Sequence, residues 1–268
     1  MQRNHLKWAA LSFLRRAGWD LRRFDAFRTL EDYLCYILFP YLGVNCVLDV
    51  GARQGEFAQS LRNSGYRGRI VSFEPVSSSF EVLQVRASAD PQWQTRNLAL
   101  GSEDGVAEIN VMRGTNFSSL RSPRTSGAED FQDFGNVVDH TETVRVRRLE
   151  GMFAEVTSAI VRPRVFLKMD TQGWDLEVFK GAGTSLDRVV GLLSEMSIRP
   201  LYHGMPDFRT ALSTYEAGGF LVSGVYAVGR DTQLRMAEFD CVMLRADAAA
   251  ALNGPAGGTS EVLALLGP

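Results

Sequence analysis

The run Cys46-Val47-Leu48-Asp49-Val50-Gly51-Ala52-Arg53-Gln54-Gly55-Glu56-Phe57 reads as a buried strand that passes through a glycine turn into a helix. Val47, Leu48 and Val50 supply the apolar strand, Gly51 and Gly55 break it, and Glu56 to Leu61 starts the helix. An open α/β sheet builds a nucleotide site in this way, and glycines let the backbone come close to a ligand. The spacing Gly51-x-x-x-Gly55 lacks the three glycines that cradle a pyrophosphate, and no phosphate-loop lysine follows. Asp49 before the turn would repel phosphate but suits a sulfonium and an amino group. S-adenosylmethionine is therefore the expected cofactor, with a purely structural strand–helix turn as the alternative.

Working outward, Arg69 to Pro75 reads as the second strand. Glu74 closes it about 20 residues after the glycine turn, where an acid takes ribose hydroxyls. A helix over 77–88 follows, then a third strand and small-residue turn over Trp93 to Ser102, beside the place of an adenine ring. Glu108 to Arg113 and Thr143 to Leu149 alternate as two antiparallel strands. The polar stretch between them, 114–141, is expected to be a lid over the substrate, or else a disordered insertion. Val165 to Asp170 is the fourth strand, with Lys168 and Asp170 on one face by period two. A helix spans Trp174 to Ala182, a fifth strand ends near Glu195, a helix covers 207–218, and strands lie near 220–226 and 238–244.

Upstream, residues 1–28 spell a basic amphipathic helix, suited to packing on its own domain, to pairing two subunits as a homodimer, or to touching an anionic lipid surface. Thr29 is the expected N-cap of a second helix that ends around Pro40 to Gly43. These features divide the chain into a helical extension over 1–44, a catalytic domain over 45–246 and an Ala/Gly-rich tail over 247–268.

The 268 residues are 45% hydrophobic, enough for a full core, and the net charge of −2 gives no field that favours nucleic acid. Only three of the 29 basic residues are lysines, so Lys168 inside an apolar strand draws notice. Cys35, Cys46 and Cys241 have no metal or disulfide spacing and read as core thiols of a cytoplasmic protein. No stretch is long and apolar enough for a transmembrane segment, and the N-terminus does not read as a signal peptide.

Taken together, Leu48 to Ala52, Phe73-Glu74-Pro75, Leu98 to Gly101, Ser118-Ser119-Leu120, the block Leu167 to Asp175 and Glu195 resemble the FkbM-like family of S-adenosylmethionine-dependent methyltransferases, over roughly 45–245. The resemblance implies a Rossmann-like class I fold: a mostly parallel seven-stranded sheet with helices on both faces. It also implies O-methylation of a hydroxyl of a sugar, glycan or polyketide, and the near-neutral charge and polar lid favour a sugar or oligosaccharide, the 1-hydroxyl of a mannoside among them. On these residues the cofactor contacts would be Asp49, Gly51, Ala52, Arg53, Gly55 and Phe57 at the turn, Glu74 and Pro75 at the ribose, Asn97 and Ala99 at the adenine, and Asp170. Arg53-Gln54, Trp174-Asp175 and Arg148-Leu149-Glu150 depart from the commoner family residues.

A sugar hydroxyl is a poor nucleophile near neutral pH and needs a base or a metal. Asp170 and Glu195, on neighbouring strand ends, are candidate ligands for Mg²⁺, with His203 as a third. His140 and His203, each expected in a loop at the C-terminal edge of the sheet, are candidate bases. Lys168 is expected to anchor a neighbouring carboxylate. Ser118, Asp139, His140 and Tyr202 are the candidate substrate contacts. A nicotinamide-dependent oxidoreductase, a non-catalytic glycan- or adenosine-binding module and a nucleic-acid methyltransferase are the competing classes.

Overall fold

The computed structural model describes residues 29–113, 117–124, 137–230 and 233–248. The expected basic helix over 1–28 and nearly all of the tail lie outside these residues. A first helix, α1, runs through Leu30–Asp32, a π-helical Tyr33–Leu38 and Phe39–Leu42. Thr29 caps it by accepting from the Asp32 amide at 3.1 Å, and left-handed Gly43 ends it.

The chain then alternates. Strand β1 is Cys46–Val50, α2 Glu56–Asn63, β2 Arg69–Phe73, α3 Ser77–Ala87 and β3 Trp93–Arg96. A short β4 (Ala99–Leu100) and long β5 (Gly105–Met112) and β6 (Val138–Arg147) follow. Next come α4 (Leu149–Val156), β7 (Val165–Met169), α5 (Asp175–Ala182), a 3-10 turn over Gly183–Arg188 and β8 (Val189–Ser197). The last elements are α6 (Phe208–Ala217), β9 (Phe220–Arg230) and β10 (Met236–Arg245).

Seven strands form one sheet in the order β3-β2-β1-β7-β8-β10-β9, and β4-β6-β5 form a second, smaller sheet. The pairs from β3 to β8 are parallel, and β10 is antiparallel to both its neighbours. This is the expected mostly parallel seven-stranded sheet. The strand order reverses between β1 and β7, so a crevice opens beyond the C-terminal ends of those strands.

Period-two alternation sorts the central strands between two cores. Cys46, Leu48 and Val50 of β1 and Val165, Leu167 and Met169 of β7 join α4, α5 and α6 on one face. Val47 and Phe166 join α1, α2 and α3 on the other. All five β1 residues are buried, as a strand covered on both faces requires. Asp49 and Lys168 are direct cross-strand partners in this register, a polar pair set in the apolar layer of α1 to α3.

Three expectations need correction. The third strand over Trp93 to Ser102 is two strands in two sheets. The main-sheet pairing stops at Arg96, and the Asn97 amide then stitches the turn by donating to the Glu74 and Pro75 carbonyls at 3.0 and 3.1 Å. The strand expected to run to Leu149 stops at Arg147, because Leu149, Met152 and Val156 lie at helical spacing and bury one face of α4. The stretch 114–141 is not loop throughout: β6 starts at Val138, and Ser119 pairs with Asn110 of β5.

Candidate active site

A cavity of about 650 Å³ opens at the crevice and is lined from both sheets. Its floor is the glycine turn. Gly51 has φ +72°, and a Cβ there would stand 1.9 Å from the Asp170 carbonyl oxygen, so only glycine lets the β1 and β7 ends meet. Ala52, Arg53, Glu56 and Phe57 continue the lining into α2. Gly55 does not reach the cavity: its φ of +87° starts the helix, and a side chain there would meet Leu83 and Trp93 at 2.8 Å.

Glu74 lines the cavity at the end of β2, with its carboxylate fixed by the Arg53 amide at 2.7 Å and the Val76 amide at 2.9 Å. Burial pushes its pKa up to about 7 against the pull of these donors. Pro75, Leu98, Ala99 and Leu100 supply an apolar side. Asn97 sits behind them and holds the turn rather than the cavity, which corrects its place as an adenine contact.

Asp49 is fully buried behind the turn and does not line the cavity. It accepts from Ser72 at 3.0 Å and pairs with the Lys168 ammonium at 3.1 Å. Lys168 also donates to the Gly51 carbonyl at 2.9 Å and lies 3.5 Å from Asp170. Burial works against its charge, yet Asp49 and Asp170 outweigh that and raise its pKa. A lysine held this way is a cationic anchor, not a base.

Asp170 and Glu195 both face the cavity, from the ends of paired strands β7 and β8. The Gln172 side-chain amide lies between them, 2.7 Å from Glu195 and 3.2 Å from Asp170. Gln172 takes φ +52°, an uncommon conformation for a side-chain-bearing residue. Its backbone carbonyl accepts from Ser119 at 2.7 Å, and its side-chain oxygen lies 3.0 Å from the Tyr202 hydroxyl. Burial first, then Asp170, Glu238 and Asp240, raise the pKa of Glu195 well above the carboxylate range. Behind the turn, buried Asp175 accepts from the Thr171 amide at 2.9 Å and from Ser194 at 2.7 Å, which fixes the loop shape.

The residues do not fit the expected Mg²⁺ site. No group of three His, Cys, Asp or Glu suited to a metal exists among the described residues, and an amide already occupies the space between the two carboxylates. His203 is exposed and does not line the cavity, so it is neither a third ligand nor a base at this site. His140 is on strand β6 rather than in a loop. Its Nδ1 lies 3.0 Å from Asp139 and its Nε2 3.2 Å from Glu142, and these partners raise its pKa. These partners engage both ring nitrogens on the surface. Asp139 and His140 do not line this cavity, and Tyr202 is buried behind it, with its hydroxyl near the Phe117 carbonyl and the Gln172 side chain. Ser118 does line the cavity, with its hydroxyl accepting from the Met112 amide at 3.2 Å.

Reading along the sequence missed Gln172, Glu31 and the β9–β10 wall of Val228, Gly229, Arg230, Ala237 and Glu238. For Gln172 the signal was present, since it stands between two cavity acids in the turn. For β9 and β10 no local signal exists: they reach the cavity only because β10 inserts beside β8.

The family model described as "Methyltransferase FkbM domain" matches residues 49–222. Among solved structures, a methyltransferase FkbM from Methylobacillus flagellatus is 17% identical with a TM-score of 0.46, covering 80% of this chain and 50% of that one. An rRNA methylase from Streptococcus thermophilus is 11% identical with a TM-score of 0.40, covering 78% and 93%. Aeropyrum pernix fibrillarin, with natively bound S-adenosyl-L-methionine, is 11% identical with a TM-score of 0.40, covering 75% and 66%. The chain thus spans half the length of the first of these structures. No curated protein matches it. No helix among the described residues is long and apolar enough to cross a membrane.

Proposed function

The chain belongs to the methyltransferase FkbM domain family, and on that premise we propose that it transfers the methyl group of S-adenosylmethionine to a hydroxyl oxygen of a sugar or oligosaccharide. The observation that carries this reading is the meeting, in one cavity, of the Gly51 turn, the tethered Glu74 and the carboxylates Asp170 and Glu195. S-adenosylmethionine supplies a methyl carbon made electrophilic by a cationic sulfur. The residues present suit it: Glu74 for the ribose hydroxyls, Leu98, Ala99 and Leu100 for the adenine, the bare Gly51 backbone for close approach, and Asp170 for the cationic end.

This chain's own task is then to align and deprotonate the acceptor. Glu195 takes the hydroxyl proton, because its raised proton affinity brings it nearer that of a working base. Gln172 fixes its position relative to Asp170, and Lys168 fixes Asp170. The acid-rich lining opposes a phosphate-bearing acceptor such as nucleic acid and accepts hydrogen bonds from sugar hydroxyls.

Calorimetric titration with S-adenosylhomocysteine, with NAD⁺ as control, tests the cofactor class. Binding near the micromolar range, about −8 kcal/mol, for the former alone is the expected outcome; binding of NAD⁺ instead overturns the reading. Labelled methyl transfer to a panel of methyl glycosides, mannosides included, tests the acceptor class.

A further inference from the structure

The cavity has a wall that the family match does not reach. The match ends at residue 222, yet Gly229 of β9 and Ala237 and Glu238 of β10 line the cavity beyond it. The glycine turn, Glu74, Asp170 and Glu195 all lie inside the match. The cavity therefore has one side inside the family match and one side outside it, and the acceptor is what varies between methyltransferases that use one cofactor.

Glu238 is the charged group best placed on that side. It is 8% exposed, and Ser197 donates to its Oε1 at 3.0 Å. In the antiparallel register Glu238 is opposite Ser197, and Asp240 is opposite Glu195. Period two therefore puts Glu238 on the same face as Glu195, about 7 Å further along the strands. That offset is of the size of a sugar ring. On the other side Glu238 pairs with Gly229. A Cβ on Gly229 would meet nothing closer than Glu238 Oε2, at 3.9 Å. The glycine thus leaves room over the carboxylate that sheet packing does not require. A buried carboxylate with one fixed donor gains most from further O–H donors and repels anions.

We propose that Glu238, together with the space left by Gly229, is the specificity-determining part of the acceptor site and accepts hydroxyl hydrogens from a polyhydroxylated ring whose reacting oxygen lies at Glu195. The inference rests on the methyl-transfer reading above and names the residues that choose its acceptor.

Two variants test it. Glu238→Gln keeps an oxygen for Ser197, and Gly229→Val fills the space with a residue that strands accept. With methyl glycosides as the probe acceptors, each is expected to raise KM for the best glycoside by about tenfold or more, the scale of a lost charge-assisted hydrogen bond, with S-adenosylhomocysteine affinity within about twofold in both and kcat within about threefold in Gly229→Val, which leaves the charges around Glu195 in place. Unchanged KM in both variants overturns the proposal, as does an equal loss of S-adenosylhomocysteine affinity, which would place the wall at the cofactor. Wild-type protein that binds S-adenosylhomocysteine but methylates no glycoside overturns the polyhydroxyl acceptor while leaving the cofactor reading intact. Failure to bind S-adenosylhomocysteine overturns both.

Discussion

The Lys168 ammonium stands 3.1 Å from Asp49 Oδ1, between residues that face each other directly across the β1–β7 pair. Asp49 is fully buried, and this oxygen has no hydrogen-bond partner besides the ion pair. The pair is thus a structural link under the cavity floor. Lys168→Met leaves a buried carboxylate with no counter-charge at 3.1 Å and only the Ser72 donor, and is expected to destabilise the protein by about 3–5 kcal/mol. Urea unfolding measures this, and adding Asp49→Asn to the same chain should restore part of the loss. Additive losses in the double variant would show that the two groups do not depend on each other.

Glu74→Ala removes the acceptor of the Arg53 and Val76 amides and the acid expected at the ribose. S-adenosylhomocysteine binding should weaken about tenfold or more, roughly 1.4 kcal/mol. Calorimetry reads it directly, and an unchanged affinity would remove Glu74 from the cofactor contacts.

Glu195→Gln should lower kcat by about 10²-fold or more, the usual worth of a general base, while S-adenosylhomocysteine affinity is retained. The wild-type pH profile carries the sign. A base works when deprotonated, and burial with neighbouring carboxylates raises the pKa of Glu195. Activity should therefore rise with pH above the ordinary carboxylate range, and a flat profile between pH 5 and 8 would argue against this base.

His140→Ala and His203→Ala should each keep turnover within about twofold, as surface substitutions away from the reacting groups do. His140 is engaged by Asp139 and Glu142 outside the cavity, and His203 does not line it. A large loss of kcat in either variant would return a histidine to the mechanism.

Asp240 lies opposite Glu195 on β10, and burial first, then Asp170, push its pKa to about 7. The folded state therefore holds a proton that the unfolded chain releases near pH 4. That contribution to stability is present at acid pH and is lost as pH rises toward 7. Asp240→Asn should raise Tm at pH 8 by roughly 2–4 °C, about 1 kcal/mol, and change it little at pH 4. Thermal scans at the two pH values check the difference.

Much of the fold was legible because β1, β2, β7 and β8 are buried on both faces and read as near-continuous apolar runs with turn signals. The Gly51 turn, Glu74 and the Asp170–Gly173 loop were legible because their spacing is local. The histidines misled because residue type suggests chemistry without fixing place. His140 becomes part of β6 through pairing with Val111, a residue far away in the chain. The surroundings of Asp49 were hidden for a related reason: its strand position is plain, but its ion pair depends on Lys168 arriving from β7. Glu238 was silent, since nothing near it in sequence announces that β10 lies beside β8.

Tyr202 has one hydroxyl hydrogen and two oxygens within reach, the Phe117 carbonyl at 2.8 Å and the Gln172 side chain at 3.0 Å. The two compete for a single proton. One shared proton thus ties Phe117 of the cavity lining to the amide that stands between Asp170 and Glu195.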